Sequence, residues 1–414
     1  MLPFRALRPH PEYAEMVAEL PYDVMDADEG RAIVEGNPWS FLRVDKAEIE
    51  FVRDTDPYDD RVYERAQTNL QRMMEQGLYI QEAAPCYYVY RLTTGNREQY
   101  GLVCLTSVDE YLNKTIKKHE LTISTKERDR TRHIEALNAH TGPIFMACAD
   151  DGKVSEALSS WAREHTPIYD FAAANGVQHT VWIVDCDEAR AALRETFGQL
   201  PALYIADGHH RTAAAVNVAL ARREASAEVC GSHSDHFLAV VFPAQQLEIL
   251  SYNRAVKRIG MDKADYFAKV QERFDIEPTA ASFAPEEKHS FGMYIDGAWH
   301  KLTAKGHILQ AGDPIASLDA SILQNELLSP VLGIEDPRTS SNIDFVGGAR
   351  GLTALEQLVD IGSHEVAFSM HPTSIGELIK VADADLIMPP KSTWFEPKLL
   401  SGLFIHLLYD LSGA

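Results

Sequence analysis

This sequence has no C-x-x-C pair, no long apolar run and no signal-peptide pattern in its first residues. The five cysteines form no C-x-x-C pair, which argues against a disulfide framework or a cysteine zinc site and predicts small buried residues at Cys86, Cys104, Cys148, Cys186 and Cys230. No apolar run approaches the roughly 18 residues that a membrane helix needs. The N-terminus has no apolar stretch followed by a cleavage site. We therefore expect a cytoplasmic protein without a membrane partner.

Basic residues are also few for a chain of this length. Lys and Arg total 39 against 61 Asp and Glu, which gives a net charge of −22. Most of the surface would therefore repel a phosphate backbone. We expect no nucleic-acid partner.

The composition is otherwise that of a folded protein, with 45% hydrophobic and 24% charged residues. The length of 414 residues predicts two or three domains. Strand-like and helix-like segments alternate, which predicts a mixed α/β fold. We expect an N-terminal α/β region (1–150), a middle region (151–260) and a C-terminal α/β region (261–414).

Apolar spacing predicts the individual elements. Helices are expected at 61–77, 154–164, 188–198, 212–224, 263–274, 316–328, 352–359, 375–381 and from 397 onward. Strands are expected at 86–92, 100–108, 179–184, 202–205, 237–242, 247–252, 290–295, 299–303, 343–346, 365–370 and 386–388, with a hairpin turn at 93–97.

One segment concentrates chemistry at the end of a predicted strand. Residues 206–211 read Ala-Asp-Gly-His-His-Arg and precede an alanine-rich helix. A helix N-terminus presents backbone N–H groups and a partial positive charge, so His209, His210 and Arg211 there favour an anion site, with phosphate as the first ligand to consider. The simpler interpretation makes Asp207 a helix cap and pairs Arg211 with a nearby carboxylate. Adjacent histidines point in different directions, which argues against zinc.

Two further segments carry candidate residues. In the first, His119 and Glu120 follow a strand candidate and suit a general base or a magnesium ligand, as readily as a solvated helix face. The charged run at 126–133 that follows is better interpreted as a solvated, salt-bridged helix face. In the second, residues 388–393 read Met-Pro-Pro-Lys-Ser-Thr and resemble part of a phosphate cradle without the glycines of a P-loop.

Smaller groups complete the set of candidates. Tyr22 and Asp23 lie near the start, Asn253 and Arg254 follow a strand, and His371 precedes Thr373 and Ser374, either of which suits a helix cap. Each of these groups alone also fits an ordinary turn or surface position.

Six segments carry a resemblance to a known family: residues 4–9, residues 21–24, the His119-Glu120 pair, and residues 206–211, 252–254 and 388–393. Together they resemble one large prokaryotic family, domain of unknown function 1015. The run Asp207–Arg211 is also similar to the signature of the ParB and sulfiredoxin superfamily, which includes free serine kinases and implies a ParB/sulfiredoxin-like middle region. Sulfiredoxins carry a cysteine where this chain has His209, and no helix-turn-helix of a partition protein is found. The resemblance therefore favours a small-molecule kinase.

This resemblance implies a nucleotide-dependent phosphotransferase acting on a small hydroxyl-bearing metabolite, with free serine as one candidate. We assign an expected role to each candidate residue. The residues expected in catalysis are Glu120, as the base, with His119, Asp207 and His210. Those expected to bind the nucleotide phosphates are Gly208, His209, Arg211, Lys391, Ser392, Thr393, Asn253 and Arg254. Those expected to bind the substrate are Tyr22, Asp23 and His371. ATP or ADP with Mg²⁺ at Asp207 would be the cofactors.

Two other functions stay open at the level of sequence. One is a nucleotide- or phosphate-sensing protein without turnover. The other is a metal-dependent hydrolase built on His119, Glu120, His209 and His210.

Overall fold

The computed structural model describes residues 1–225, 233–310 and 312–411. The chain divides into two compact units, the first made of residues 1–117, 122–247 and 397–414 and the second of residues 118–121 and 248–396. The boundary predicted at residue 150 falls inside the first unit. The final segment of the chain also belongs to the first unit rather than to the C-terminal region.

Strands are numbered in chain order. They are β1 (Leu7–Pro9), β2 (Tyr79–Gln81), β3 (Tyr87–Thr94), β4 (Arg97–Ser107), β5 (Ile116–Lys117), β6 (Ala139–His140), β7 (Ile144–Cys148), β8 (Tyr169–Ala172), β9 (Gln178–Val184), β10 (Leu203–Asp207), β11 (His236–Pro243), β12 (Glu248–Leu250), β13 (Tyr252–Val256), β14 (Phe274–Pro278), β15 (Ser290–Ile295), β16 (Ala298–Ala304), β17 (Ile343–Gly347), β18 (Val366–Met370), β19 (Trp394–Glu396) and β20 (His406–Leu407).

The α-helices are numbered in the same way. They are α1 (Ala14–Val17), α2 (Ala27–Val34), α3 (Leu42–Asp45), α4 (Asp60–Glu75), α5 (Val108–Leu112), α6 (Ser124–Leu137), α7 (Lys153–Glu164), α8 (Asp187–Gly198), α9 (His209–Ala225), α10 (Lys263–Arg273), α11 (Asp319–Leu323), α12 (Thr353–Asp360) and α13 (Ile375–Asp383). A π-helical turn, Gln324–Leu328, follows α11.

The first unit contains a mixed eight-stranded sheet in the order β5-β10-β7-β11-β4-β3-β9-β8. Only the β5–β10 and β7–β11 pairs are parallel. Its central strands are buried along most of their length, as expected for a sheet covered on both faces. β10 lies one strand from the edge and delivers its carboxyl end, Asp207, to the start of α9.

The second unit contains a six-stranded antiparallel sheet in the order β14-β16-β15-β18-β13-β17. β13 is therefore an inner strand, hydrogen-bonded to both β17 and β18. A two-stranded pair, β12 with β19, belongs to the same unit. Asn253 and Arg254, which lie in β13, therefore belong to the same unit as the predicted cradle at 388–393.

The prediction of a mixed α/β fold is confirmed, and local patterns place most elements well. In α4, buried Val62, Ala66, Leu70 and Met73 follow the helical spacing that predicted it. The hairpin of β3 and β4 turns at Gly95, whose φ of +59° suits glycine. Ser374 caps α13 through a capping box with Glu377.

Several predictions are wrong. Within the described residues, 386–388 form no strand, and the prolines that follow remove two N–H donors from any ladder there. No helix starts at 397; the segment is extended, and Gly402 within it takes a φ of +82°. The helix predicted at 316–328 is the shorter α11 followed by the π turn, and the strand at 247–252 is split between β12 and β13.

The cysteine prediction holds for Cys86, Cys104 and Cys148, which are buried. It is wrong for Cys186, which is exposed, and Cys230 lies outside the described residues. No helix in the described part of the chain is both long and apolar enough to cross a membrane.

Candidate functional site

The predicted anion turn lies in the first unit, where β10 ends at Asp207 and α9 begins at His209. Gly208 between them has a φ of +96°. A side chain at 208 would be strained at this angle, and its Cβ would lie 3.1 Å from Nη2 of Arg211. Glycine is therefore required both for the turn and for the position of the guanidinium. The start of α9 adds backbone N–H groups and the positive end of the helix dipole.

Asp207 is paired with two cations. Its Oδ2 accepts a hydrogen bond from Nη2 of Arg211 at 3.0 Å, and its Oδ1 accepts one from Nζ of Lys398 at 3.2 Å. Burial would raise the pKa of the Asp207 carboxyl, but the charges of Lys398 and Arg211 outweigh burial and hold that pKa well below its usual range. Asp207 is therefore ionised at neutral pH and bonded to both cations.

Arg211 is fixed by further contacts. Its Nη1 donates to the carbonyl of Pro143 at 2.7 Å, and a Cβ at Gly142 would lie 3.3 Å from the same nitrogen. The ion pair of Arg211 with Asp207 agrees with the simpler interpretation of this turn, in which Arg211 pairs with a nearby carboxylate. It accounts for Arg211 and not for Lys398.

Lys398 is the residue that sequence reasoning missed. Its side chain is only 8% exposed, and it lies 191 residues from Asp207 along the chain. A buried lysine needs a partner, so an unexplained lysine next to apolar Leu399 and Leu400 was the available signal.

The remaining candidates of the first unit differ in how far they are exposed. His209 is buried, His210 is half-buried, and Asp23 is exposed. Burial raises the pKa of the Tyr22 hydroxyl above its usual value, whereas the charges of Arg130 and Arg211 lower it. Tyr22 therefore lies within electrostatic reach of both guanidinium groups, and its ring centroid is 4.0 Å from Cζ of Arg130.

The interpretation of residues 126–133 as a solvated face is wrong for two of them. In α6, Arg130 and His133 are buried together with Ile134 and Leu137. Their spacing is that of one helix face, which was a readable signal. Arg130 donates to Asp129 at 2.8 Å and to the carbonyl of Asp45 at 3.4 Å.

In the second unit, Arg254 occupies the inner strand β13. Its side chain is buried and lies over the Phe345 ring, with Cζ 5.1 Å from the centroid. It donates to the backbone carbonyls of Tyr252 and Pro390. Among the described residues no carboxylate forms an ion pair with Arg254, and burial lowers the pKa of its guanidinium to about 10.

The segment 391–393 lies close to Arg254 within this unit. Nζ of Lys391 is 5.4 Å from the centroid of the Tyr252 ring. The hydroxyl of Ser392 donates to the carbonyl of Pro389 at 2.7 Å. The Thr393 hydroxyl is 3.2 Å from Nε2 of His119. The structure therefore groups His119, Arg254 and the segment 391–393, which are far apart in sequence.

Three more predicted residues lie in the second unit. Asn253 is buried, and its Oδ1 accepts from the backbone N–H of Met370 at 3.0 Å, which joins β13 to β18. Glu120 and His371 are half-buried. The charge of His371 acts on Asp319, whose burial raises the pKa of that carboxyl to about 6.

Fold and site together define a mixed α/β protein with a cluster of cationic and polar side chains in each unit. The chain belongs to the family described as "Protein of unknown function (DUF1015)", whose match covers residues 1–321, which confirms the predicted membership. No curated protein matches the sequence.

Solved structures resemble the chain only distantly. A conserved hypothetical protein from Pyrococcus furiosus has 11% identity and a TM-score of 0.37, covering 74% of this chain and 95% of its own. A free serine kinase in complex with AMP has 11% identity and a TM-score of 0.37, covering 71% and 86%. SbnI from Staphylococcus aureus, with a C-terminal truncation, has 12% identity and a TM-score of 0.39, covering 75% and 90%. Such likeness carries no argument about activity.

Proposed function

We propose that this protein is a nucleotide-dependent phosphotransferase that acts on a small hydroxyl-bearing metabolite, with free serine as one acceptor to test. The observation that carries the proposal is the buried Arg254 guanidinium without a carboxylate partner. ATP or ADP is the proposed nucleotide. The same charge arrangement would also serve a protein that senses a nucleotide without turnover, and the experiment below separates the two functions.

An unpaired buried cation is costly. Moving an isolated charge out of water costs several kcal/mol even after relaxation, and buried charges in proteins are normally paired. Arg254 is 4% exposed and has only carbonyl and aromatic partners among the described residues. An anionic ligand would supply the missing counter-charge, and phosphate matches the planar fork of a guanidinium.

Residues 391–393 provide the further groups that a phosphate site needs. Lys391 adds an ammonium and Thr393 a hydroxyl, while the Ser392 hydroxyl already donates to the carbonyl of Pro389. Lys391 has a φ of +56°, an uncommon conformation for a residue other than glycine. Such backbone conformations are concentrated at ligand-binding sites, which supports a binding role for this segment.

The turn in the first unit supports the same class of ligand independently. Arg211 and Lys398 both bond to Asp207 at the N-terminus of the 17-residue helix α9. Helix N-termini bind phosphate through backbone N–H groups. Asp207 as a magnesium ligand stays a prediction: each carboxylate oxygen already accepts from one cation, so a metal ion would have to share these oxygens.

Phosphoryl transfer demands mainly positioning and charge stabilisation. In the proposal, Arg254 binds phosphate, and Glu120 of the same unit accepts the proton of the acceptor hydroxyl; Arg211 provides a separate phosphate contact within the first unit. The low pKa of Asp207 makes this carboxylate a poor proton acceptor, so its role is to hold Arg211 and Lys398 in place.

Calorimetry with ATP, ADP and CTP, with and without Mg²⁺, tests the proposal on the full chain. Arg254→Met should weaken nucleotide binding at least tenfold, while Arg254→Lys should retain part of it. Arg258→Met is the matched control, because Arg258 lies in the same unit, is exposed and, unlike Arg254, has a carboxylate partner, Glu365. Unchanged affinity in Arg254→Met would contradict the proposal.

Turnover is measured separately by following the phosphorylated product by mass spectrometry, with serine among a set of small alcohols. Glu120→Gln should abolish product formation and leave nucleotide affinity unchanged. Nucleotide binding without product from any acceptor would favour the sensing function instead.

A further inference from the structure

A small cavity in the first unit has only Arg211 in common with the proposed phosphate contacts. It offers about 30 Å³ to the centres of water-sized atoms, and its polar walls include Tyr22, Asp45, Arg130, His140 and Arg211. One water needs roughly 10–15 Å³ by this measure, so the cavity has space for about two oxygen-sized atoms. This space suits the two oxygens of a carboxylate.

His140 gives the strongest sign of a missing ligand. Its side chain is 6% exposed, and neither ring nitrogen has a hydrogen-bond partner among the described residues. Its ring packs against that of His406, with centroids 5.6 Å apart. Buried polar atoms are nearly always satisfied, and two unsatisfied nitrogens on one residue indicate a partner from outside the chain. Burial lowers the pKa of His140 well below its usual value, so the neutral imidazole has one N–H to donate.

The charges on the cavity wall favour an anion. Arg130 and Arg211 contribute two guanidinium groups and Asp45 one carboxylate. Asp45 already accepts a hydrogen bond from the Thr141 hydroxyl at 2.7 Å. The wall also contains His133, whose pKa is lowered to about 4 by burial and by the charge of Arg130.

The acids that pair with the two arginines are not part of this wall. Asp129 binds Arg130, and Asp207 is shared between Arg211 and Lys398. The wall of the small cavity therefore carries two guanidinium groups and one carboxylate, and each guanidinium has five N–H donors to share between its partners and a ligand.

A second, larger cavity adjoins this one in the same unit. It offers about 190 Å³ and shares Tyr22, Asp45, Arg130 and His133 with the small cavity. Its other walls combine aromatic, aliphatic and charged side chains: Val44, Lys46, Ala47, Glu48, Pro57, Tyr58, Val62, Tyr63, Ala66, Lys126 and Asp129. By the same measure it accommodates on the order of ten further atoms.

We propose that the two cavities together bind a small organic acid, with the carboxylate in the small cavity against Arg130, Arg211 and the His140 imidazole. The body of the acid lies along the tyrosines of the larger cavity. This site is distinct from the proposed phosphate contacts at Arg254 and at the N-terminus of α9, and it shares only Arg211 with them.

The test uses the full chain without nucleotide, so its result does not depend on phosphotransfer. The probes are acetate and benzoate, with acetamide and benzamide as uncharged analogues, inorganic phosphate as the larger anion and chloride as the salt control. Binding is measured by calorimetry and by the rise in melting temperature that saturable ligands produce. The two carboxylates should bind saturably and benzoate more tightly, whereas the amides, phosphate and chloride should not.

Two variants and one control locate the binding. Arg130→Lys and His140→Phe should each weaken benzoate binding about tenfold, through loss of the planar fork and of the imidazole donor. Arg128→Lys is the matched control, since Arg128 belongs to the same helix, is exposed and lines neither cavity. A crystal of the benzoate-soaked protein should show the carboxylate beside His140.

The outcomes are decisive in both directions. Saturable acid binding that both variants weaken and the control leaves unchanged supports the proposal. It is overturned if neither acid binds saturably, if the amides bind as well as the acids, or if the soaked crystal shows only ordered water beside His140.

Discussion

The ion pair between Asp207 and Lys398 should be among the most strongly coupled charge pairs in the first unit. Asp207→Asn leaves the buried Lys398 ammonium and the Arg211 guanidinium without their shared counter-charge. Removing one partner of a buried pair typically costs about 3–5 kcal/mol. Lys398→Met removes the buried ammonium and keeps the Arg211 pair, so we expect a smaller cost of about 1 kcal/mol.

The size of the coupling follows from the geometry. At 3.2 Å and an effective dielectric constant of about 20, the direct attraction is about 5 kcal/mol. Desolvation of Lys398, which is 8% exposed, offsets much of this, and Asp207 is still 30% exposed. We therefore expect a coupling free energy of about 2 kcal/mol in the double-mutant cycle.

Urea unfolding of the wild type, the two single variants and the double variant at pH 7.5 gives this coupling. The exposed pair of Arg163 and Glu156 on α7 provides the matched control cycle, for which we expect less than about 0.5 kcal/mol. Because the pKa of Asp207 is depressed in the folded protein, the stability it contributes is complete above the unfolded pKa of about 3.9 and is lost as the pH falls further. Additive free energies at pH 7.5, within the error of the control cycle, would refute the reasoning.

Three further predictions concern single positions. Gly208→Ala should cost about 2 kcal/mol or more in urea unfolding, because of its φ of +96° and the contact with Arg211, whereas exposed Gly36→Ala, also at positive φ, should cost about 1 kcal/mol. Arg254→Met should weaken nucleotide binding and leave the unfolding midpoint unchanged or raised, because an apolar group replaces a buried charge without a carboxylate partner. A large loss of stability would contradict this account. Burial raises the pKa of Asp319 to about 6, so the stability that this carboxyl contributes is present below the unfolded pKa of about 3.9 and is lost as the pH rises through 6. The free energy of unfolding of Asp319→Asn, relative to wild type, should therefore be higher at pH 8 than at pH 4 by up to about 3 kcal/mol. An equal difference at both pH values would exclude this role.

Much of the fold was predictable because it depends on local patterns. The spacing in α4, the hairpin turn at Gly95 and the cap at Ser374 are each determined within a few residues. The same is true of the turn at Gly208, where the glycine, the following helix and the pairing of Asp207 with Arg211 are separated by at most four positions.

The rest depends on contacts between distant segments, which a single sequence does not reveal. Lys398 reaches Asp207 across 191 positions, and His119 reaches Thr393 across 274. The charged run in α6 was misjudged because its composition is that of a solvated helix, while the position of Arg130 on the apolar face determines its burial. Periodicity of the buried face was therefore a better guide there than charge content.

The long-range pairing also explains why the C-terminal segment is extended rather than helical. A helix starting at 397 would satisfy its own backbone, and the segment would then have no hydrogen bonds to give its neighbours. Instead, Ser401 exchanges backbone hydrogen bonds with Glu19, and His406 pairs with His140 in the two-stranded sheet of β20 and β6. These contacts fix the segment on both sides of Gly402. They hold Lys398 at Asp207 and place the His406 ring against His140, so one extended segment contributes to both the anion turn and the proposed acid-binding cavity.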